Sequence, residues 1–284
     1  MEVLTVIKNE IMKRKPILAT FFLFAVLNLL HGQNIISGIV INKTSKLPVE
    51  YVNIGIVGKN VGTVADDNGK FNLLIESQYQ TDSLLFSCIG YESYAVKISD
   101  LKQNDTINLK EKSYFLNEIT VRPRTFKEQV LGITSKSLFM GMGFENNRLG
   151  YECGLMMNVK KTAIIKKVKA NVSACDYDSI FYRLNIYEVR GEYDFDNILR
   201  EPIYVSASKE EILKDGLQID LEAKNIVVSG DFVVTLEHVR NLGNAGIWFC
   251  GSMKNESYYR KTSQGSWTTL PVGISISVVA DVEK

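Results

Sequence analysis

Apolar and polar residues alternate with a period of two along most of this chain. That spacing puts side chains on opposite faces of extended strands and predicts β-structure. Ile35 to Ile41 is β-branched and stops at the turn cluster Asn42-Lys43-Thr44-Ser45. Runs follow at Tyr51–Val57, Val61–Ala65, Lys70–Ile75, Ser83–Cys88, Ser93–Ile98, Thr106–Leu109 and Ile119–Val121. In Lys70–Ile75, Phe71, Leu73 and Ile75 share one face. Asp66-Asp67-Asn68-Gly69 lies between two such runs, and its Asn-Gly step predicts a hairpin with positive φ at both central residues. Short strands separated by turns predict a sandwich over residues 34–121.

Arg122-Pro123-Arg124 ends this series, because proline cannot continue a central strand. Residues 122–147 read as a connector that partly packs on a second module, residues 148–284. Gly141-Met142-Gly143 is flexible and lacks the third glycine of a dinucleotide loop. Over 148–284 the alternation resumes, in Tyr151–Val159, Ile164–Ala174, Phe181–Val189, Pro202–Ser206, Leu217–Leu221, Ile226–Val228, Phe232–Val239, Gly246–Cys250 and Ile274–Val279. Val168, Ala170 and Val172 oppose Lys167, Lys169 and Asn171, so these lysines read as a solvated sheet face. Only Lys209–Leu213 carries a helical pattern. The expected fold is all-β: two antiparallel sandwiches, the second jelly-roll-like, behind an N-terminal signal helix.

Residues 1–32 change the picture. Lys13, Arg14 and Lys15 precede an apolar run from Pro16 to Leu30, interrupted by Thr20 and Asn28. This is the pattern of a signal peptide, with cleavage expected after Gly32; an uncleaved anchor has the same flanks. No cysteine follows the run to carry a lipid anchor, and no later segment is long and apolar enough for a spanning helix. The net charge is +1. Four basic and two acidic side chains lie in residues 1–32, so the remainder is at −1. That argues against a nucleic-acid partner, which would require a basic excess. Export implies an oxidising compartment. Cys88, alone in its module, reads as a small buried hydrophobe, whereas Cys153, Cys175 and Cys250 leave room for one bridge.

The order of motifs in residues 34–121 is specific: Gly38-x-Val40, Pro48, Val52–Gly58, Gly62-Thr63, Asp66, Gly69, Phe71, Leu73, Phe86-Ser87-x-Ile89-Gly90-Tyr91 and Leu116–Val121. This series resembles the carboxypeptidase regulatory-like domain, also found at the N-terminus of TonB-dependent receptors. The resemblance implies a seven-stranded, transthyretin-like sandwich and a Gram-negative envelope, and it brings no peptidase zinc site. Asn42 and Ala65 depart from the family, where an acidic residue and Thr or Ser are usual. Residues 148–284 resemble a domain of unassigned function that often follows this module. The residues carrying that likeness include Gly150-Tyr151-Glu152-x-Gly154, Phe181–Tyr187, Ile219-Asp220-Leu221, Gly230-Asp231-Phe232, Tyr258-Tyr259-Arg260 and Trp267.

Little in the sequence points to catalysis. Past residue 32 there is one histidine, His238, and no G-x-S-x-G elbow, H-E-x-x-H or phosphate loop. Asp66 and Asp67 lack the spacing of a calcium loop. Asp176 with Asp178, and Asp194 with Asp196, alternate onto one side of extended segments and are the calcium candidates; a hydrolase built on carboxylates would need such acids to converge. Trp248, Tyr258, Tyr259 and Trp267 are candidate ligand-stacking aromatics; Tyr177 and Tyr182 also sit near strand ends. The expectation is a non-enzymatic exported protein with no cofactor, in the periplasm or at the outer-membrane surface. It would act as an accessory or interaction module on an envelope protein or glycan. The alternatives are carbohydrate binding or adhesion through the second sandwich, and a carboxylate hydrolase. A TonB-dependent receptor is not expected, because the 163 residues after the first module are too few for its barrel and plug.

Overall fold

The computed structural model describes residues 33–113 and 125–284. The first module has strands β1 (Gln33–Asn42), β2 (Asn53–Gly55), β3 (Gly62–Val64), β4 (Lys70–Glu76), β5 (Ser83–Ser87), β6 (Tyr94–Lys97) and β7 (Asp105–Leu109). They form two sheets, β4-β1-β7 and β3-β2-β5-β6. Phe71, Leu73 and Ile75 of β4 point inward, as their spacing requires, and Phe71 meets Phe86 of the facing sheet edge-on at 5.5 Å. Two expectations change here. The β1–β7 pair is parallel rather than antiparallel. The Asn68-Gly69 turn is not a hairpin: β3 and β4 belong to different sheets, so it is a corner. Gly69 alone takes positive φ (71°), and the Asp66 carboxylate accepts the N–H groups of Asn68 and Lys70. The strand expected at Ile119–Val121 and the signal segment lie outside the described residues.

The second module contains β8 (Phe126–Gly132), β9 (Gly141–Glu145), β10 (Glu152–Met157), β11 (Thr162–Ala170), β12 (Val172–Cys175), β13 (Ser179–Gly191), β14 (Asp194–Asn197) and β15 (Ile203–Ser208). After helix α1 (Lys209–Asp215) come β16 (Leu217–Asp220), β17 (Ile226–Ser229), β18 (Phe232–His238), β19 (Gly246–Ser252), β20 (Ser257–Arg260), β21 (Thr268–Leu270), β22 (Gly273–Ile274) and β23 (Ile276–Glu283). The helix begins where Lys209–Leu213 predicts one, closed by a Ser208–Glu211 capping box. The stretch read as a connector supplies two strands instead. β8 pairs with β23 and β9 with β19. Its exposed edge position explains why the sequence pattern there is weak: β8 has no fully buried residue to set an alternation.

A seven-stranded sheet, β14-β13-β18-β10-β20-β21 with β15 also on β13, packs against five- and four-stranded sheets. Its inner face carries Cys153, Leu155, Met157, Tyr182, Leu184, Ile186, Val234 and Leu236 into one core with Val168, Ile276, Val278 and Phe249. The alternate residues point the other way, and Arg183 among them reaches the first module. Two glycines permit the close approach between modules: a Cβ on Gly55 or Gly62 would come within 2.4 or 2.3 Å of the Ser263 carbonyl oxygen. Among the described residues no helix is long and apolar enough to cross a membrane.

All four cysteines are free, and Cys153, Cys175 and Cys250 are buried. The bridge left open among these three is therefore absent. They act as small apolar core residues, and burial raises each thiol above its ordinary value. Dithiothreitol is accordingly expected to leave the melting temperature unchanged. A native bridge would show as a loss of about 2–5 kcal/mol on reduction.

Candidate functional site: the cleft between the modules

One cross-strand row on the outward face of the seven-stranded sheet reads Arg260, Glu152, Glu237, Arg183. Period-two alternation forces these side chains outward, because their neighbours fill the core. Glu152 and Glu237 are fully buried and Arg183 nearly so, while Arg260 is half-buried. Arg183 Nε and Nη2 donate to Glu237 Oε2 at 3.1 and 2.7 Å. Arg260 Nε donates to Glu152 Oε2 at 2.8 Å. Asn185 bridges the two acids, donating to Glu152 Oε1 at 2.9 Å and Glu237 Oε2 at 2.8 Å. Tyr187 Oη and Thr235 Oγ1 also donate to Glu152.

Charge governs how these groups titrate. Burial pushes Glu237 up, but Arg183, Arg260 and the Arg183 and Asn185 hydrogen bonds outweigh it and hold the carboxyl below its usual range. Glu152 ends above its usual range, because burial and the Glu237 charge exceed the pull of Arg260. Burial alone would lower Arg183, and Glu237 more than reverses that, so the guanidinium stays charged.

Arg183 also ties the modules together. Its Nη1 donates to the Tyr51 carbonyl oxygen at 2.8 Å and its Nη2 to Asn53 Oδ1 at 2.6 Å. Ser263 Oγ reaches the same Asn53 oxygen, Gln264 Nε2 donates to Ser87 Oγ at 2.7 Å, and Ser266 Oγ donates to the Gly58 carbonyl oxygen at 2.7 Å. Tyr51 packs at 5.2 Å on Phe181 and 5.1 Å on Tyr204.

Beside this contact lies a half-open cleft of about 390 Å³. The first module lines it with Ser87, Tyr91 and Ser93, and the second with Tyr187, Phe195 and Gln264. Arg183, Asn185 and Arg260 of the buried row form part of its wall, as does Asn197, whose amide donates to Asn185 Oδ1. Behind Phe195 the aromatics continue: Phe195 meets Trp267 at 5.3 Å and Tyr258 at 5.4 Å, and Tyr193 meets Tyr258 at 6.2 Å. Arg260 stacks 4.9 Å from the centre of Trp267. The cleft's thiol, Cys88, is pushed up to about 11 by burial, away from nucleophilic ionisation at neutral pH. A second groove, of about 590 Å³, also runs between the modules, where Arg240 pairs with Asp67 at 3.6 Å.

The sequence candidates divide. Tyr258 and Trp267 reach the aromatic wall of the cleft. Tyr259 faces the core side and stacks on Tyr151, and Trp248 folds over Gly246 on β19. Tyr177 and Tyr182 are buried in the core. The acidic pairs do not converge. Asp178 immediately precedes β13 and Asp194 follows it, so the pairs sit at opposite ends of a strand on the order of 40 Å long. Asp176, Asp178, Asp194 and Asp196 are exposed, and Asp196 pairs with Arg190. Among the described residues no group of three His, Cys, Asp or Glu side chains could hold a metal. The row itself was missed in the sequence. Its signal is Arg183-x-Asn185-x-Tyr187, charged and polar residues at alternate places in an otherwise apolar strand.

Residues 36–121 match the model of the CarboxypepD_reg-like domain. No curated protein matches the chain. Among solved structures, the infectious bursal disease virus Gt strain is 9% identical, with 89% of this chain and 64% of that chain covered and a TM-score of 0.17. The VP2 subviral particle of the same virus is 9% identical, with 88% and 64% covered and a TM-score of 0.16. This chain thus spans less than two thirds of those viral chains, and TM-scores so low establish neither a shared fold nor a shared role.

Proposed function

We propose that this protein, with a CarboxypepD_reg-like domain at residues 36–121, is a non-enzymatic exported protein of the bacterial envelope that serves as a binding module. Its ligand or partner seats in the cleft between the two sandwiches. Domains of this kind are often found in envelope proteins, and the signal-like pattern of residues 1–32 agrees with export. One observation carries the reading: both modules line a single cleft, and a buried arginine fixes their relative position beside it. A preorganised concave surface of this size suits recognition. The exposed acidic pairs, set at opposite ends of β13, do not favour the hydrolase alternative.

The test is capture from native envelope extract with the purified protein as bait, beside a Ser93→Arg variant. Ser93 is exposed and lines the cleft, so arginine there fills the space without disturbing the core. A partner or glycan retained by the wild type and lost by the variant supports the reading. Equal retention by both places the binding surface elsewhere and overturns it.

A further inference from the structure

The cleft's chemistry narrows what it takes. Three of the four charged side chains in its lining are ion-paired within the protein. Arg183 is paired with Glu237, Arg260 with Glu152, and Asp196 with Arg190. Lys112 also has a partner. A phosphate, a nucleic acid or a strongly charged peptide would therefore compete with the internal partners of these groups for a counter-charge. The lining is equally unsuited to a lipid chain, because hydroxyl and amide groups interrupt its apolar surface. What remains is aromatic surface with uncharged hydrogen-bonding groups beside it. Tyr91 comes from the first module and Phe195 from the second, so each wall offers a ring. Gln264 spends one amide N–H on Ser87 and keeps a second N–H and its side-chain carbonyl oxygen. Ser93 has an exposed hydroxyl. Phe195 is braced from behind by Trp267 and Tyr258, which fixes its plane.

Sugar rings combine these two needs: flat C–H faces that stack on aromatics, and a rim of neutral hydroxyl and amide groups. We infer that the cleft binds an uncharged saccharide of one to a few rings, stacked on Phe195 and Tyr91. The inference rests on the cleft being the binding surface, and it adds the ligand's class. The cleft's volume of about 390 Å³ lies at the small end for ligand sites, so a short stretch of a glycan would be held while the rest ran out through the open side.

The experiment is an array of defined neutral and acidic oligosaccharides probed with the full chain, followed by calorimetry on each neutral oligosaccharide that binds. Phe195→Ala and Tyr91→Ala are run beside Trp248→Ala, which lies away from the cleft. Circular dichroism and a thermal melt establish that each variant is folded. Removing either ring is expected to weaken binding by about tenfold or more, one stacking contact's worth of affinity, and Trp248→Ala to leave it unchanged. Because the rings come from different modules, a folding defect confined to one module would not remove both effects. Binding of acidic oligosaccharides only, or neutral binding untouched by both substitutions, overturns the inference. If no saccharide binds, yet an envelope protein is captured in a way Phe195→Ala abolishes, the saccharide class is wrong and the cleft reading stands. If neither is seen, both fall.

Discussion

Replacing Arg183 with Met is expected to cost about 3–5 kcal/mol of unfolding free energy, the range for removing one partner of a buried ion pair. Arg183 is 1% exposed and Glu237 is fully buried. Methionine would fill much of the volume but leave the Glu237 carboxylate without its main counter-charge. Glu237 Oε1 already lacks a hydrogen-bond partner, so this acid has nothing in reserve. The Tyr51 carbonyl and Asn53 Oδ1 would also lose their Arg183 donors. Urea denaturation measures the loss directly. Arg183 holds the two modules in register, so calorimetry should also show a single transition in the wild type dividing into two in the variant. A second variant separates charge from packing. Arg183→Met with Glu237→Met replaces the whole pair by apolar groups and should recover most of the loss. A change below about 1 kcal/mol in the single variant would mean that water reaches Glu237 and that the row is not sealed.

How much of this was readable beforehand depended on whether the controlling contact was local. β4 could be placed from Phe71, Leu73 and Ile75 alone, because burial on one face repeats every second residue. Helix α1 was visible in Lys209–Leu213, and its capping box is likewise local. β8 was hidden, since an exposed edge strand has no buried partner to impose a pattern. The Asn68-Gly69 turn misled for a related reason. The step encodes a reversal, but whether the flanking strands pair depends on other strands: β3 pairs with the preceding β2, and β4 with the more distant β1. The candidate site was legible only in part. Tyr258 and Trp267 stood out as aromatics, but their position beside the cleft depends on β14 and the Thr262–Gly265 turn folding against the first module. Arg183 and Glu237 are 54 positions apart, and Arg183 and Tyr51 are 132 apart. No spacing rule links residues at such distances. Outward-facing charges on a sandwich strand ordinarily read as solvated, whereas Arg183 here is buried against Tyr51 and Asn53 of the first module.

Acid sensitivity should come from a different group, the one histidine past residue 32. His238 lies 5.9 Å from Phe144, 6.4 Å from Tyr177 and 5.6 Å from Tyr182 by ring centres, in an apolar cage. Its Nε2 is 3.0 Å from Asn147 Oδ1. The Leu242 N–H donates to the same Asn147 atom, which identifies that atom as oxygen and requires the imidazole hydrogen to sit on Nε2. Nδ1 is therefore the bare nitrogen, buried without a partner, and a second proton would have to go there. Burial lowers His238 to about 4, with the Glu237 charge opposing the shift. In the unfolded chain His238 takes up a proton near its ordinary value of about 6.5, whereas the folded protein keeps it neutral down to about 4. Its contribution is thus fully present above pH 6.5 and is lost as pH falls through the window to 4. Between pH 7 and 4.5 the loss amounts to about 2 kcal/mol. His238→Phe should remove that slope. The measurement is the stability difference between wild type and variant at several pH values, because other titrating groups, including Glu152 and Glu237, are common to both and cancel. Phenylalanine gives up the Asn147 bond, so the variant can start lower at pH 7; the slope, not the offset, reports the titration. A difference that stays constant from pH 7 to 4.5 would show that the folded protein protonates this imidazole as readily as the unfolded chain does, and that the cage around Nδ1 is open to water.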